Sequence, residues 1–167
     1  MKLLALVGVV VALGAASSAA ADERPLLVVG FSKIGDFKVR GGTPAQAFRV
    51  FGKPARTRET NASCAHYWNG LRIGFYTLVE KKQCLPGTPF ESATVSRSWV
   101  TDRGLRKGDT LARAKQLYPS ARKAKPGART IDLVVRFSQA IGQYGLTARV
   151  HEGRVTTLEI LDPQGGE

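Results

Sequence analysis

The sequence predicts an α+β fold of two tandem units, each a short helix packed on an antiparallel β-meander. Three observations predict it. A glycine turn, a helix start and an abrupt stop occur twice, at Arg40–Gly52 and at Gly104–Pro119. Each is followed by stretches that alternate apolar and polar residues, the period of a half-buried strand. Asn69-Gly70 and Glu152-Gly153 break those stretches as hairpin turns do.

Residues 1–21 are set aside first. Lys2 precedes an apolar run from Leu3 to Gly14, and Ala19-Ala20-Ala21 stands just before Asp22-Glu23-Arg24. This is the pattern of a cleaved export signal. The Ala/Ser-rich end makes a weak membrane span, which favours cleavage over the alternative of a retained anchor. With no cysteine near that point, a lipid anchor is not expected. The remaining 146 residues suit one domain, residues 22–167, with repeats at about 26–92 and 93–162.

Loss of Lys2 leaves 24 Lys/Arg against 13 Asp/Glu, a net charge of +11. A basic exported chain favours anionic neighbours such as wall polymers, lipid surfaces, acidic proteins or nucleic acid. The charge is scattered, with its densest patch at Arg122–Arg129, where Pro126-Gly127 marks a solvated loop. Cys64 and Cys84 are the two cysteines. An even count in an exported domain points to a disulfide between them. A metal site is the alternative, but the two cysteines with His66 and His151 match no recognised zinc spacing, so no metal or cofactor is expected.

Taken in order, Leu26–Phe31 has strand composition, bounded by Pro25 and Gly35-Asp36. Thr43 is a good N-cap and Pro44 suits the first helical position. Ala47, Val50 and Phe51 fall on one face, and Gly52 and Pro54 stop the helix. Ala62–Trp68 puts Cys64, His66 and Trp68 on one side of a strand. After Asn69-Gly70, Leu71–Leu78 turns Leu71, Ile73 and Phe75 inward and Arg72 and Tyr76 outward. Residues 79–92 form a polar loop that the disulfide ties down, and Ala93–Thr101 is a third strand carrying Trp99. Thr110 starts the second helix, buried through Ala114, Leu117 and Tyr118. Strands over Thr130–Phe137, Leu146–Val150 and Val155–Leu161 complete the second unit, with Gly142 and Gly145 flanking a loop.

At an offset of 67 residues, Gly41, Thr43, Ala45 and Ala47 meet Gly108, Thr110, Ala112 and Ala114, while Val50 and Phe51 meet Leu117 and Tyr118. Cap, apolar face and stop all agree, which is the mark of a repeat. The segment Gly104-Leu105-Arg106-Lys107-Gly108-Asp109-Thr110 with Leu117-Tyr118-Pro119 resembles the β-lactamase-inhibitor-protein-like architecture and the repeat of SmpA/OmlA lipoproteins of the outer-membrane barrel-assembly machine. It is also similar to a set of uncharacterised secreted proteins of high-GC Gram-positive bacteria. The resemblance spans about residues 37–161 and implies an architecture, with no catalytic residues carried over. This chain lacks the lipoproteins' lipid-attachment cysteine and has one cysteine pair where the inhibitor has two.

No catalytic constellation stands out. His66 and His151 fall in different units and no Gly-x-Ser-x-Gly elbow is present. Asp109 is explained by the helix start, Glu80 by Lys81 and Lys82, and Asp132 has no obvious local role. Gly41-Gly42 lacks the rest of a phosphate loop. The remaining candidate is a face of the sheet presenting His66, Trp68, Arg72, Tyr76 and Trp99, because aromatic and Arg side chains on a rigid surface make binding hot spots. The expected function is a secreted, non-enzymatic module that recognises a protein or envelope component through that open face. The alternative is a basic electrostatic adaptor for anionic wall polymer, lipid surface or nucleic acid, with nucleic acid the least favoured.

Overall fold

The computed structural model describes residues 26–60, 63–76, 84–123, 127–138 and 142–162. Residues 1–21, where an export signal is expected, together with Glu80, Lys81, Lys82 and Pro126, lie outside the described residues.

The described residues begin with three short strands, β1 (Leu27–Val29), β2 (Lys33–Ile34) and β3 (Phe37–Lys38), and then enter helix α1 (Pro44–Phe51). The helix starts where its sequence says it should. Thr43 Oγ1 accepts from the Gln46 amide at 3.4 Å, and the Gln46 side chain accepts from the Thr43 amide at 3.3 Å, a reciprocal capping box. Gly52 ends it at φ 75°, a value that side-chain-bearing residues avoid. Strands β4 (Arg56–Glu59), β5 (Ser63–Trp68), β6 (Leu71–Tyr76), β7 (Phe90–Val95) and β8 (Trp99–Thr101) follow, and then helix α2 (Leu111–Leu117). Thr110 caps α2 by accepting from the Arg113 amide at 3.2 Å. The described residues close with β9 (Arg122–Lys123), β10 (Thr130–Ser138), β11 (Gly142–His151) and β12 (Arg154–Leu161).

The strands assemble into two sheets. The larger has eight strands in the order β4-β5-β6-β7-β12-β11-β10-β9, antiparallel throughout. The smaller has the order β3-β2-β1-β8, with β1 and β8 parallel. One face of the large sheet is apolar: Leu71, Ile73, Phe75, Val95, Leu146, Ala148, Leu158 and Ile160 are all buried there. The small sheet and the helices roof that face in one core, with the Phe37 ring 6.0 Å from Phe90 and 6.1 Å from Phe51.

The expectation of two helix-on-meander units is corrected by this arrangement. Among the described residues the fold is mostly β, with 50% strand and 13% helix. Helices of eight and seven residues are too small to cover an eight-stranded sheet. The missing cover comes from the four-stranded sheet, which joins the start of the chain to β8 in its middle. The stretch Ala93–Thr101 is accordingly not one strand. It breaks at Ser96–Ser98, leaving β7 in the large sheet and β8 in the small one. Gly142 and Gly145 lie within β11 instead of a loop. On α1, Ala47 is buried and Phe51 half-buried as expected, but Val50 is exposed.

Candidate functional site

Paired residues in a sheet share a face, so the register of the large sheet sorts the sequence-predicted site residues. His66 pairs with Ile73 and Trp68 with Leu71, which places both on the roofed face. Arg72 pairs with Tyr67, and Tyr76 with Ser63, on the opposite face. Trp99 belongs to the small sheet and is buried in the core. The five residues are therefore not brought together: Arg72 and Tyr76 share a face, His66 and Trp99 are buried, and Trp68 is half-buried against the core. Each inward residue has a packing role. Trp68 Nε1 donates to the Gly52 carbonyl at 3.0 Å and its ring lies 5.5 Å from Phe51, clamping the end of α1. Among the described residues Trp99 Nε1 has no hydrogen-bond partner.

The outward face carries a row that crosses all eight strands in register. It runs Arg56, Tyr67, Arg72, Thr94, Glu159, Thr147, Asp132, Arg122. Its β4–β6 end is cationic and aromatic. The Arg56 guanidinium sits 4.2 Å over the Tyr67 ring, a cation–π contact. Arg72 Nη1 donates to Ser92 Oγ at 3.2 Å. Burial pushes the Tyr67 phenol up, but the hydrogen bond and charge of Arg72, with those of Arg56, outweigh it and hold the phenol below the usual tyrosine range. Arg58, two residues along β4 and on the same face, extends the positive patch. Among the described residues neither Arg56 nor Arg58 has a carboxylate partner.

Gly74 lies beneath these side chains. A Cβ there would stand 2.8 Å from Ser92 Oγ and 3.3 Å from both Arg72 Nη2 and Glu91 Oε2, so a larger residue makes the Ser92 hydroxyl and the Arg72 tip shift. The acidic groups at the β10–β12 end of the row have partners within the sheet. Arg149 Nε pairs with Glu159 Oε1 at 2.5 Å, and Asp132, which is buried, accepts from Thr147 Oγ1 at 3.2 Å.

A second cluster lies on the roofed face. Cys64 and Cys84 form the expected disulfide. His66 is buried beside it, its Nδ1 2.8 Å from Thr57 Oγ1 and its Nε2 3.5 Å from Cys64 Sγ. Phe48, Phe75 and Trp68 surround its ring, the closest centroid being Phe48 at 4.8 Å. Burial lowers the His66 pKa below its usual value, opposed in part by the charge of Glu59. The Cys84 amide donates to Glu59 Oε1 at 3.3 Å. His151 is exposed in the β11–β12 turn, 3.5 Å from Glu152 Oε1.

Strand β4 supplies Arg56 and Thr57 to these two clusters and was not expected from the sequence. Its signal is present in retrospect: Arg56-Thr57-Arg58-Glu59 is an alternating cation pattern that forms an edge strand beside Ser63–Trp68. The chain matches no family model, no curated protein and no solved structure.

Proposed function

We propose that the protein is a secreted, non-enzymatic binding module that recognises an acidic protein surface through the uncovered face of its eight-stranded sheet. The observation that carries this reading is the Arg56–Tyr67–Arg72 row. Two guanidiniums are fixed against a phenol on a rigid scaffold, with Arg58 beside them. Arginine and tyrosine held in this way lose little side-chain entropy on binding and dominate interface energetics. The carboxylates of a partner find bidentate donors there. The disulfide is compatible with an extracellular protein, and among the described residues no helix is long and apolar enough to cross a membrane.

The test is affinity capture of envelope and culture-fluid proteins on immobilised chain, repeated with the Arg56→Glu/Arg72→Glu variant and with Gly74→Ala. A partner fitting this reading is acidic and is lost from the double variant. It is weakened by Gly74→Ala, which displaces the Arg72 side chain without removing it. Truncation of one such anchor typically costs about 2 kcal/mol or more, roughly a thirtyfold loss of affinity. Full retention by the charge-reversed, folded variant sinks the proposal.

A second reading is favoured by the basic strands at the two borders of the sheet, Arg56 and Arg58 in β4 and Arg122 and Lys123 in β9. In it the protein is an electrostatic adaptor for an anionic polymer or surface. It requires binding that weakens steeply with salt and is indifferent to Tyr67→Leu.

A further inference from the structure

We infer that reduction of the Cys64–Cys84 disulfide converts it into a zinc site formed by Cys64 Sγ, Cys84 Sγ and His66 Nε2. The three donor atoms already lie within 4.8 Å of one another. In a tetrahedral site with Zn–S about 2.3 Å and Zn–N about 2.0 Å, the S···N edge is about 3.5 Å and the S···S edge about 3.8 Å. The Cys64 Sγ to His66 Nε2 separation is 3.5 Å, so one edge is built before any metal arrives. The second edge needs the two sulfurs to part from bonding distance. With the Cα atoms 5.3 Å apart, side-chain rotation accomplishes this without moving a strand.

The surroundings supply what a zinc histidine needs. Thr57 Oγ1 lies 2.8 Å from Nδ1 and can accept its proton, which leaves the Nε2 lone pair directed at the sulfurs. Phe48, Trp68 and Phe75 fix the plane of the ring. Glu59 holds the backbone of Cys84 to the strand pair that carries the other two donors. Two thiolates and a neutral imidazole balance the charge of Zn²⁺, so the centre can sit in the core without an uncompensated charge. Water takes the fourth position.

The chemistry closes with a dithiol as reductant. Cys64 Sγ is fully buried and Cys84 is the more accessible partner, so a thiolate of the dithiol attacks Cys84 Sγ. The S–S bond breaks, Cys64 leaves as a thiolate beside His66, and a mixed disulfide forms on Cys84. The second thiol of the dithiol resolves it, forming a cyclic disulfide and freeing Cys84. The protein disulfide has gained two electrons and two protons, and binding of Zn²⁺ by the two thiols then releases two protons.

The test titrates Zn²⁺ into the oxidised chain and into the chain reduced with a phosphine, against a chromophoric chelator, with Co²⁺ as a spectroscopic probe of thiolate and imidazole ligation. The expected result is one equivalent bound by the reduced chain and none by the oxidised chain. His66→Phe keeps the aromatic packing and is expected to weaken binding by at least about tenfold, and Thr57→Val by about tenfold. Near-UV circular dichroism follows the fold in parallel. If the reduced chain loses its tertiary signal, one equivalent of Zn²⁺ must restore it. Failure to restore it, absence of stoichiometric binding by a folded reduced chain, or unchanged affinity in His66→Phe overturns the assignment.

Discussion

Reducing the disulfide in the presence of a chelator is expected to cost about 3 kcal/mol of stability. Cys64 and Cys84 are 20 residues apart. Cross-linking a loop of that length removes chain entropy from the unfolded ensemble worth about 3 kcal/mol at room temperature. Little is expected from the native side, because the buried Cys64 sulfur keeps its apolar surroundings as a thiol. Domains of this kind have about 5–15 kcal/mol in hand, so the reduced, metal-free chain stays folded. At roughly 3 °C per kcal/mol, its melting temperature falls by about 10 °C. The assay is paired urea unfolding of oxidised and reduced chain with identical sequence, read by Trp fluorescence. The reduced chain is also expected to show the larger m-value, since its unfolded state exposes more surface. A loss below about 1 kcal/mol with equal m-values would refute the reasoning, by showing that the unfolded loop is closed without the cross-link.

The two glycines before α1 are predicted to fail for different reasons. Gly42→Ala puts a Cβ 2.5 Å from Phe37 Cζ and closer still to the Lys38 carbonyl, and overpacking of this kind costs about 1–3 kcal/mol. Gly41 has open space but φ 71°, so Gly41→Ala costs about 1 kcal/mol of backbone strain; urea midpoints for both variants check the order. His66 has a folded pKa below the 6.5 of the unfolded chain. Protonation therefore favours unfolding: the stabilisation is complete above about pH 6.5 and is lost as pH falls through the folded value. Unfolding at neutral and acidic pH reads this loss, and His66→Phe should diminish it. Burial pushes Tyr118 up to about 12 from 10.0, with its hydroxyl donating to Asp102 Oδ1 at 3.2 Å. Stability tied to it is complete below pH 10.0 and is lost towards pH 12, by about 2–3 kcal/mol. Alkaline unfolding of Tyr118→Phe should lack that loss.

Local grammar was the most legible part of the fold. Thr43 with Gln46, Pro44 and Gly52 bounds α1, and Thr110 starts α2, because capping is settled within a few residues of chain. Asn69-Gly70 set the hairpin register, and with it the inward Leu71, Ile73 and Phe75. Strands of two residues such as β2 and β3 leave no periodic trace, and β8, the parallel partner of β1, lies more than 60 residues away from it in sequence. That hid the roofing sheet. The candidate face was half legible for a similar reason. Cys64-Ala65-His66-Tyr67-Trp68 alternates plainly, but which side is roofed depends on segments far along the chain. Tyr67 turned out to be the outward aromatic and His66 the buried one. The disulfide followed from the cysteine count and the nearness of His66 to it from their alternate places on one strand, whereas the contact of Thr57 with His66 required the pairing of β4 with β5.

The two borders of the large sheet have a consequence for how copies of the molecule meet. An unpaired edge is a template on which another chain can continue the ladder. Here β4 presents Arg56 and Arg58 and β9 presents Arg122 and Lys123, all exposed, so each open end carries the same sign. Abutting one β9 edge against another sets cation opposite cation, and like charges directly across a ladder are destabilising. Colloidal stability of the molecule is thereby tied to ionic strength: concentrated solutions stay dispersed in dilute buffer, and light scattering rises once salt shortens the range of that repulsion to a few ångströms.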